Sequence, residues 1–179
     1  MTASHGVSQG AAQAYAGDIT PAEAWRVLRE HPGAVLVDVR TNAEWQFVGV
    51  PDLSGLGRRT RFVEWVDFPA GEPNARFVPQ LEAEVAAERA AVSTGPRPAE
   101  GASDGSADSG FDSGFDRGQV PVLFLCRSGQ RSIGAAIAAT SAGLGPAYNV
   151  LEGFEGGLDA SGHRGAAGWR AAGLPWCQS

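Results

Sequence analysis

The sequence predicts an α/β fold built around a parallel sheet, and three observations carry that expectation. Two short apolar runs rich in β-branched and aromatic residues, at 34–39 and 120–125, read as strands buried on both faces. Segments with helix-forming composition and helical spacing lie between and after them, at 21–30, 78–92 and 132–139. These signals alternate along 179 residues with 43% hydrophobic content, enough chain for one core and too little for two comfortable ones.

The elements follow in order. In Ile19-Thr20-Pro21-Ala22-Glu23, Thr20 can cap a helix, Pro21 suits its first position and Glu23 completes a capping box. Trp25 and Leu28 then share a face as core anchors, and His31-Pro32-Gly33 ends the helix near residue 30. The strand at 34–39 leads into a polar segment holding Arg40 and Glu44. Residues 50–71 are dense in Gly, Pro and Arg and contain one strand candidate, 62–68. The helix at 78–92 places Leu81 and Val85 one turn apart.

Residues 93–118 are rich in Gly, Ser, Asp and Pro and carry few large apolar groups, the composition of a flexible insertion. Apolar sequence resumes directly after it, so the expected organisation is a flexible N-terminus over 1–18 and one domain over 19–177, interrupted by that insertion. After the strand at 120–125, a helix at 132–139 sets Ile133 and Ile137 on one face and stops at Gly143 and Gly145. A strand at 148–151 runs into Glu152-Gly153, and a terminal helix at 166–172 presents Trp169 before Gly173-Leu174-Pro175.

Composition narrows the function. With 14 basic and 20 acidic residues the net charge is -6, which argues against nucleic acid as a partner. The first residues lack the basic and apolar regions of a signal peptide, and no stretch is apolar over the length of a membrane span. The expectation is a cytoplasmic protein with no membrane partner. His5, His31 and His163 are scattered without ligand spacing, so neither a metal site nor a cofactor is expected.

Two cysteines are too few for a disulfide scaffold, and their contexts separate them. Cys177 follows Leu174-Pro175-Trp176 near the end of the chain, where termini fray; the bland reading is incidental, the sharper one a resolving thiol for Cys126. Cys126 stands after an apolar strand and before a helix, where parallel sheets place their ligand crevice. A lone cysteine is more often a small buried hydrophobe, but a core position has no need of two guanidinium groups beside it. The loop Arg127-Ser128-Gly129-Gln130-Arg131-Ser132 offers backbone N–H groups, a glycine for a tight curve and the positive end of a helix. That field favours an anion, and with Arg127 and Arg131 added it favours the thiolate of Cys126 over the thiol.

Asp38-Val39-Arg40 with Glu44 after one strand, and Cys126-Arg127-Ser128-Gly129-Gln130-Arg131-Ser132 after another, resemble the rhodanese superfamily from about Thr20 to Trp176. The resemblance implies a rhodanese-like five-stranded parallel sheet flanked by helices on both faces. It also implies a sulfurtransferase that carries sulfane sulfur as a Cys126 persulfide, from a donor such as thiosulfate or a protein persulfide to a thiophilic acceptor. Loop amides would hold the sulfur, with Arg127 and Arg131 steering a small anionic donor. Asp38 would be a structural acceptor supporting the loop, with Arg40 its partner, and Glu44 a solvated or ion-paired helix residue.

Where the family usually carries a Gly-His-Ile-Pro-Gly-Ala segment, this sequence has Gly49-Val50-Pro51-Asp52-Leu53-Ser54, without the histidine. Residues 127–130, four in number, separate Cys126 from Arg131, one fewer than in the phosphatase branch of the superfamily. The tighter loop disfavours a phosphatase or arsenate reductase. A binding or oxidation-sensing module without catalysis is the other alternative. Trp45, Trp65 and Trp169 fit core and rim packing, Trp65 being the one to test as a pocket wall.

Overall fold

A computed structural model describes residues 14–94 and 120–178. The N-terminal segment up to residue 13 and the expected insertion from residue 95 lie outside the described residues. The order is β1 (Gly17–Ile19), α1 (Pro21–Glu30), β2 (Val35–Asp38), α2 (Asn42–Val48), β3 (Val50–Pro51), a 3-10 turn (Ser54–Leu56), β4 (Arg61–Phe62), α3 (Phe77–Thr94), β5 (Val122–Leu125), α4 (Arg131–Ser141), β6 (Ala147–Val150), α5 (Gly168–Ala171) and β7 (Trp176–Cys177).

Five strands form one sheet in the order β1-β6-β5-β2-β4, with every neighbouring pair parallel. The two central strands are buried at every residue, which accounts for their unbroken apolar sequence. On one face Val35, Val37, Val122 and Phe124 pack with Phe77, Leu81 and Val85 of α3 and with α4. On the other, Leu36, Leu123 and Leu125 pack with Ala24, Val27 and Leu28 of α1 and with Trp169 of α5. The fold is thus α/β, a five-stranded parallel sheet with helices on both faces. Among the described residues no helix is long and apolar enough to cross a membrane.

Local sequence set α1 well. Thr20 Oγ1 accepts from the Glu23 N–H at 3.2 Å, and the Glu23 carboxylate accepts from the Thr20 N–H at 2.7 Å, the reciprocal cap that Thr20 and Glu23 predict. The structure departs from expectation in four places. The sheet reaches back to Gly17: β1 pairs with β6 although Gly-Asp-Ile has little intrinsic strand preference, so pairing creates this edge. The candidate strand at 62–68 is only two residues long. Beyond Phe62 the Val63 and Trp65 N–H groups still donate to Asp38 and Val39, and then the chain turns back with the Gly71 N–H on Asp67.

In α4 it is Ser132, Ala135, Ala136 and Ala139 that are buried, while Ile133 and Ile137 sit half-exposed at the flanks. Small residues let the helix approach the sheet closely, and Gly134 makes room for Trp65: a Cβ there would stand 2.8 Å from Trp65 Cζ2. Trp65 therefore packs into the core against α4 and, edge-on, against Phe77 at 4.8 Å. Finally, Cys177 does not belong to a frayed end; it lies in β7, paired antiparallel with Val50, as an exposed free thiol.

Candidate active site

The site gathers at the carboxyl ends of β5, β2 and β6, the edge where an open parallel sheet leaves its crevice. Cys126, the residue after β5, is fully buried. Its Sγ accepts from the Gly129 N–H at 3.2 Å and lies 3.2 Å from Ser132 Oγ on the first turn of α4. Gly129 has φ +84°, and a Cβ there would stand 2.9 Å from the Glu152 nitrogen, so both the turn and the close approach require glycine. Ser128 is half-buried and Gln130 exposed.

The loop is pinned from below by the turn that follows β6. The Phe154 N–H donates to the Cys126 carbonyl at 2.8 Å and the Glu155 N–H to the Arg127 carbonyl at 3.0 Å. Gly153 sits against the Cys126 carbonyl so closely that any side chain would collide with it. Glu152, just ahead, holds φ +61°, a strained conformation for a residue with a side chain.

Asp38 and Arg40 are both fully buried. Arg40 Nη2 donates to Asp38 Oδ2 at 2.6 Å and to the Gly49 carbonyl at 2.7 Å, and its guanidinium lies 4.1 Å from the centre of the Phe154 ring. This pair links the end of β2 to the start of β3 and to the turn that pins the loop. It makes contact with protein on every side named.

Both loop arginines are paired with carboxylates far away in sequence. Arg127 Nε donates to Glu155 Oε2 at 2.8 Å. Arg131 makes a two-point contact with Glu44, at 2.8 and 2.7 Å, while the same Glu44 caps α2 through the Thr41 N–H at 3.0 Å. The two arginines expected to add to the positive field at Cys126 are each offset by a carboxylate, so the field they give the loop is that of two ion pairs. Of the two readings of Glu44, solvated or ion-paired, the structure shows the ion-paired one, with Arg131 as the partner. Burial opposes the charge on both partners, but their mutual hydrogen bonds and attraction prevail, raising Arg131 above and lowering Glu44 below their ordinary values.

A group lowered in the folded state contributes stability above its ordinary range and loses it as the pH falls through the folded value. Glu44→Gln should therefore flatten part of the acid limb of stability: between neutral and acid pH its Tm should fall less than that of the parent. Equal falls in the two proteins would show that the pair contributes nothing.

Beside the loop lies an open groove of about 420 Å³, lined by Val48, Val66, Phe68 and Pro69 together with Arg127 and Arg131. Trp65 is not among the groove residues; its neighbours Val66 and Phe68 are. Sequence reading named Glu44 but not its bond to Arg131, and missed Glu155, Asn149 and the 152–156 turn as parts of the site. The one local signal was the closely spaced Gly153 and Gly156 directly after β6.

No protein-family model matches the chain. The crystal structure of Rv0390 from M. tuberculosis is 52% identical, spans 92% of this chain and 99% of that one, and superposes with a TM-score of 0.70. Two uncharacterized proteins, the RP600 homolog of Rickettsia rickettsii and RC0915 of Rickettsia conorii, are each 29% identical over 159 residues, 89% of this chain and 95% of theirs. The solution structure of a polysulfide-sulfur transferase homodimer from Wolinella succinogenes is 20% identical with a TM-score of 0.49, too distant to bear on function.

Proposed function

The chain belongs to one family with Rv0390 of M. tuberculosis, and on the chemistry gathered around Cys126 we propose that it is a rhodanese-type sulfurtransferase acting through a Cys126 persulfide. The carrying observation is the cradle itself: a buried sulfur at a strand end, 3.2 Å from a loop N–H and 3.2 Å from a hydroxyl, ahead of a helix N-terminus. Such a cradle suits partial negative charge on one or two sulfur atoms.

In the first half-reaction the Cys126 thiolate attacks the outer sulfur of the donor, and the donor's S–S bond breaks with its electron pair on the departing product. In the second, an acceptor nucleophile takes that sulfur and Cys126 leaves as thiolate. The short loop argues against phosphoryl transfer, because a ring fitted to one sulfur crowds a tetrahedral oxyanion. Pairing of Arg127 with Glu155 and of Arg131 with Glu44 weakens the long-range pull on anions. A persulfide donor is then as well suited as thiosulfate.

The test is intact mass. In a Cys177→Ser background, which leaves Cys126 as the one thiol, incubation with thiosulfate or with a small-molecule persulfide should add the mass of one sulfur atom, and none once Cys126→Ser is added. Unchanged mass with both donors would rule the proposal out.

A further inference from the structure

We propose that Asn149 and Asp18 set the reactivity of Cys126 by holding the hydroxyl proton of Ser132, an inference that rests on Cys126 being the nucleophile. Ser132 Oγ lies 3.2 Å from Cys126 Sγ and 2.6 Å from Asn149 Oδ1, in the middle of β6. A hydroxyl has one proton and can satisfy only one of these acceptors at a time. Asn149 Nδ2 donates to Asp18 Oδ1 at 2.9 Å, which fixes the amide with its oxygen towards Ser132. Asp18, in β1, also accepts from the Tyr15 hydroxyl at 2.9 Å. Ser132 is 0% and Asn149 1% exposed, so solvent offers neither a substitute partner.

The two states of Cys126 demand different arrangements of this chain. A thiol can donate to Ser132 Oγ while the Ser132 hydroxyl donates to Asn149. A thiolate already holds the Gly129 N–H, and it gains a second donor only if the hydroxyl turns to Sγ and leaves the Asn149 oxygen unpaired in the interior. That loss is of the same order as the bond gained. Asn149 therefore competes with the thiolate, and Asp18 keeps it competing.

The same exchange occurs in the second half-reaction. As the acceptor takes the outer sulfur, the Sγ–S bond breaks with its electron pair remaining on Sγ, and the hydroxyl turns from Asn149 to the new thiolate. The proton stays on the Ser132 oxygen throughout. Ser132, touching the reacting sulfur, is a catalytic residue; Asn149 and Asp18 are positioning residues.

Other charged groups face this site from the surrounding elements. Arg131 of α4 interacts with both Cys126 and Asp38 and is paired with Glu44 of α2. Asp38 binds Arg40 after β2, and Arg127 binds Glu155 after β6. None of these ion pairs includes Asn149 or Asp18.

The rate of alkylation of Cys126 by iodoacetamide as a function of pH reads the thiolate directly, in a Cys177→Ser background so that a single thiol reports. Asn149→Leu should move the profile to lower pH by about one unit, roughly tenfold more thiolate at a given pH below the midpoint. Adding Ser132→Ala should cancel that shift. Asp18→Ala, which frees the amide to turn, should shift the profile in the same direction by less. Asp18→Asn, which retains the acceptor, should keep the parent profile.

An unmoved profile in Asn149→Leu, or an equal shift with Ser132 removed, overturns the proposal. So does Asp18→Asn behaving like Asp18→Ala, which would assign the effect to charge alone. Should Asn149→Leu fail to fold, the exposed Asp18 pair decides the matter. Alkylation needs no sulfur donor: the shifts can appear in a protein that takes up no sulfur, which would remove the sulfurtransferase reading and leave this one standing.

Discussion

Cys126→Ser is expected to lower sulfur transfer from thiosulfate to cyanide by about a thousandfold or more, with the fold preserved. A serine hydroxyl stays protonated at neutral pH where a thiol is partly ionised, and its oxygen is a poor nucleophile toward sulfur. Its size matches the pocket, and it can accept from the Gly129 N–H and exchange a hydrogen bond with Ser132 as the thiol does. The near-ultraviolet circular dichroism and Tm should thus remain close to the parent's. Turnover near the parental rate would remove Cys126 from the mechanism, and a collapse of the fold would show that its loss had been structural.

The largest loss of stability is expected from Asp38→Ala. Asp38 and Arg40 are each 0% exposed, and removing the carboxylate leaves a guanidinium buried without its counter-charge. Breaking a buried pair from one side costs about 3–5 kcal/mol, enough to lower Tm by roughly 10 °C in a domain of this size. Activity should fall with it, because Arg40 also ties the Gly49 carbonyl and stacks on Phe154, whose N–H holds the Cys126 carbonyl. Asp38→Ala combined with Arg40→Met should recover much of the stability, since the methionine can cover Phe154 without a charge to solvate. Urea unfolding of the two variants separates these effects. A loss below about 1 kcal/mol in Asp38→Ala would mean that the pair is not the constraint inferred from its burial.

The elements with strong local codes were legible. Helix α1 begins where Thr20, Pro21 and Glu23 say it should. β2 and β5 stand out because full burial leaves no polar residue in the strand until Asp38, and the Cys126 loop stands out because its residue types are unusual together. Where preference and environment diverged, the sequence misled. β1 is three residues containing a glycine, and it is a strand only because β6 offers an edge. In α4 the larger side chains suggested the buried face, but closeness to the sheet put the alanines there.

The chemistry of the site divides in the same way. Cys126, its glycine-containing loop and the two arginines are written within a few consecutive residues, so composition and order alone bring them together. Their electrostatic state is not written there. Glu44 reaches Arg131 across 87 residues, Glu155 reaches Arg127 across 28, and Asn149 reaches Ser132 across 17. The sequence by itself determined which groups could react. Only the tertiary structure decided which charges were cancelled and which acceptor held the Ser132 proton, because hydrogen bonds and ion pairs depend on ångström-scale distances that parallel β-strands set between residues remote in the chain.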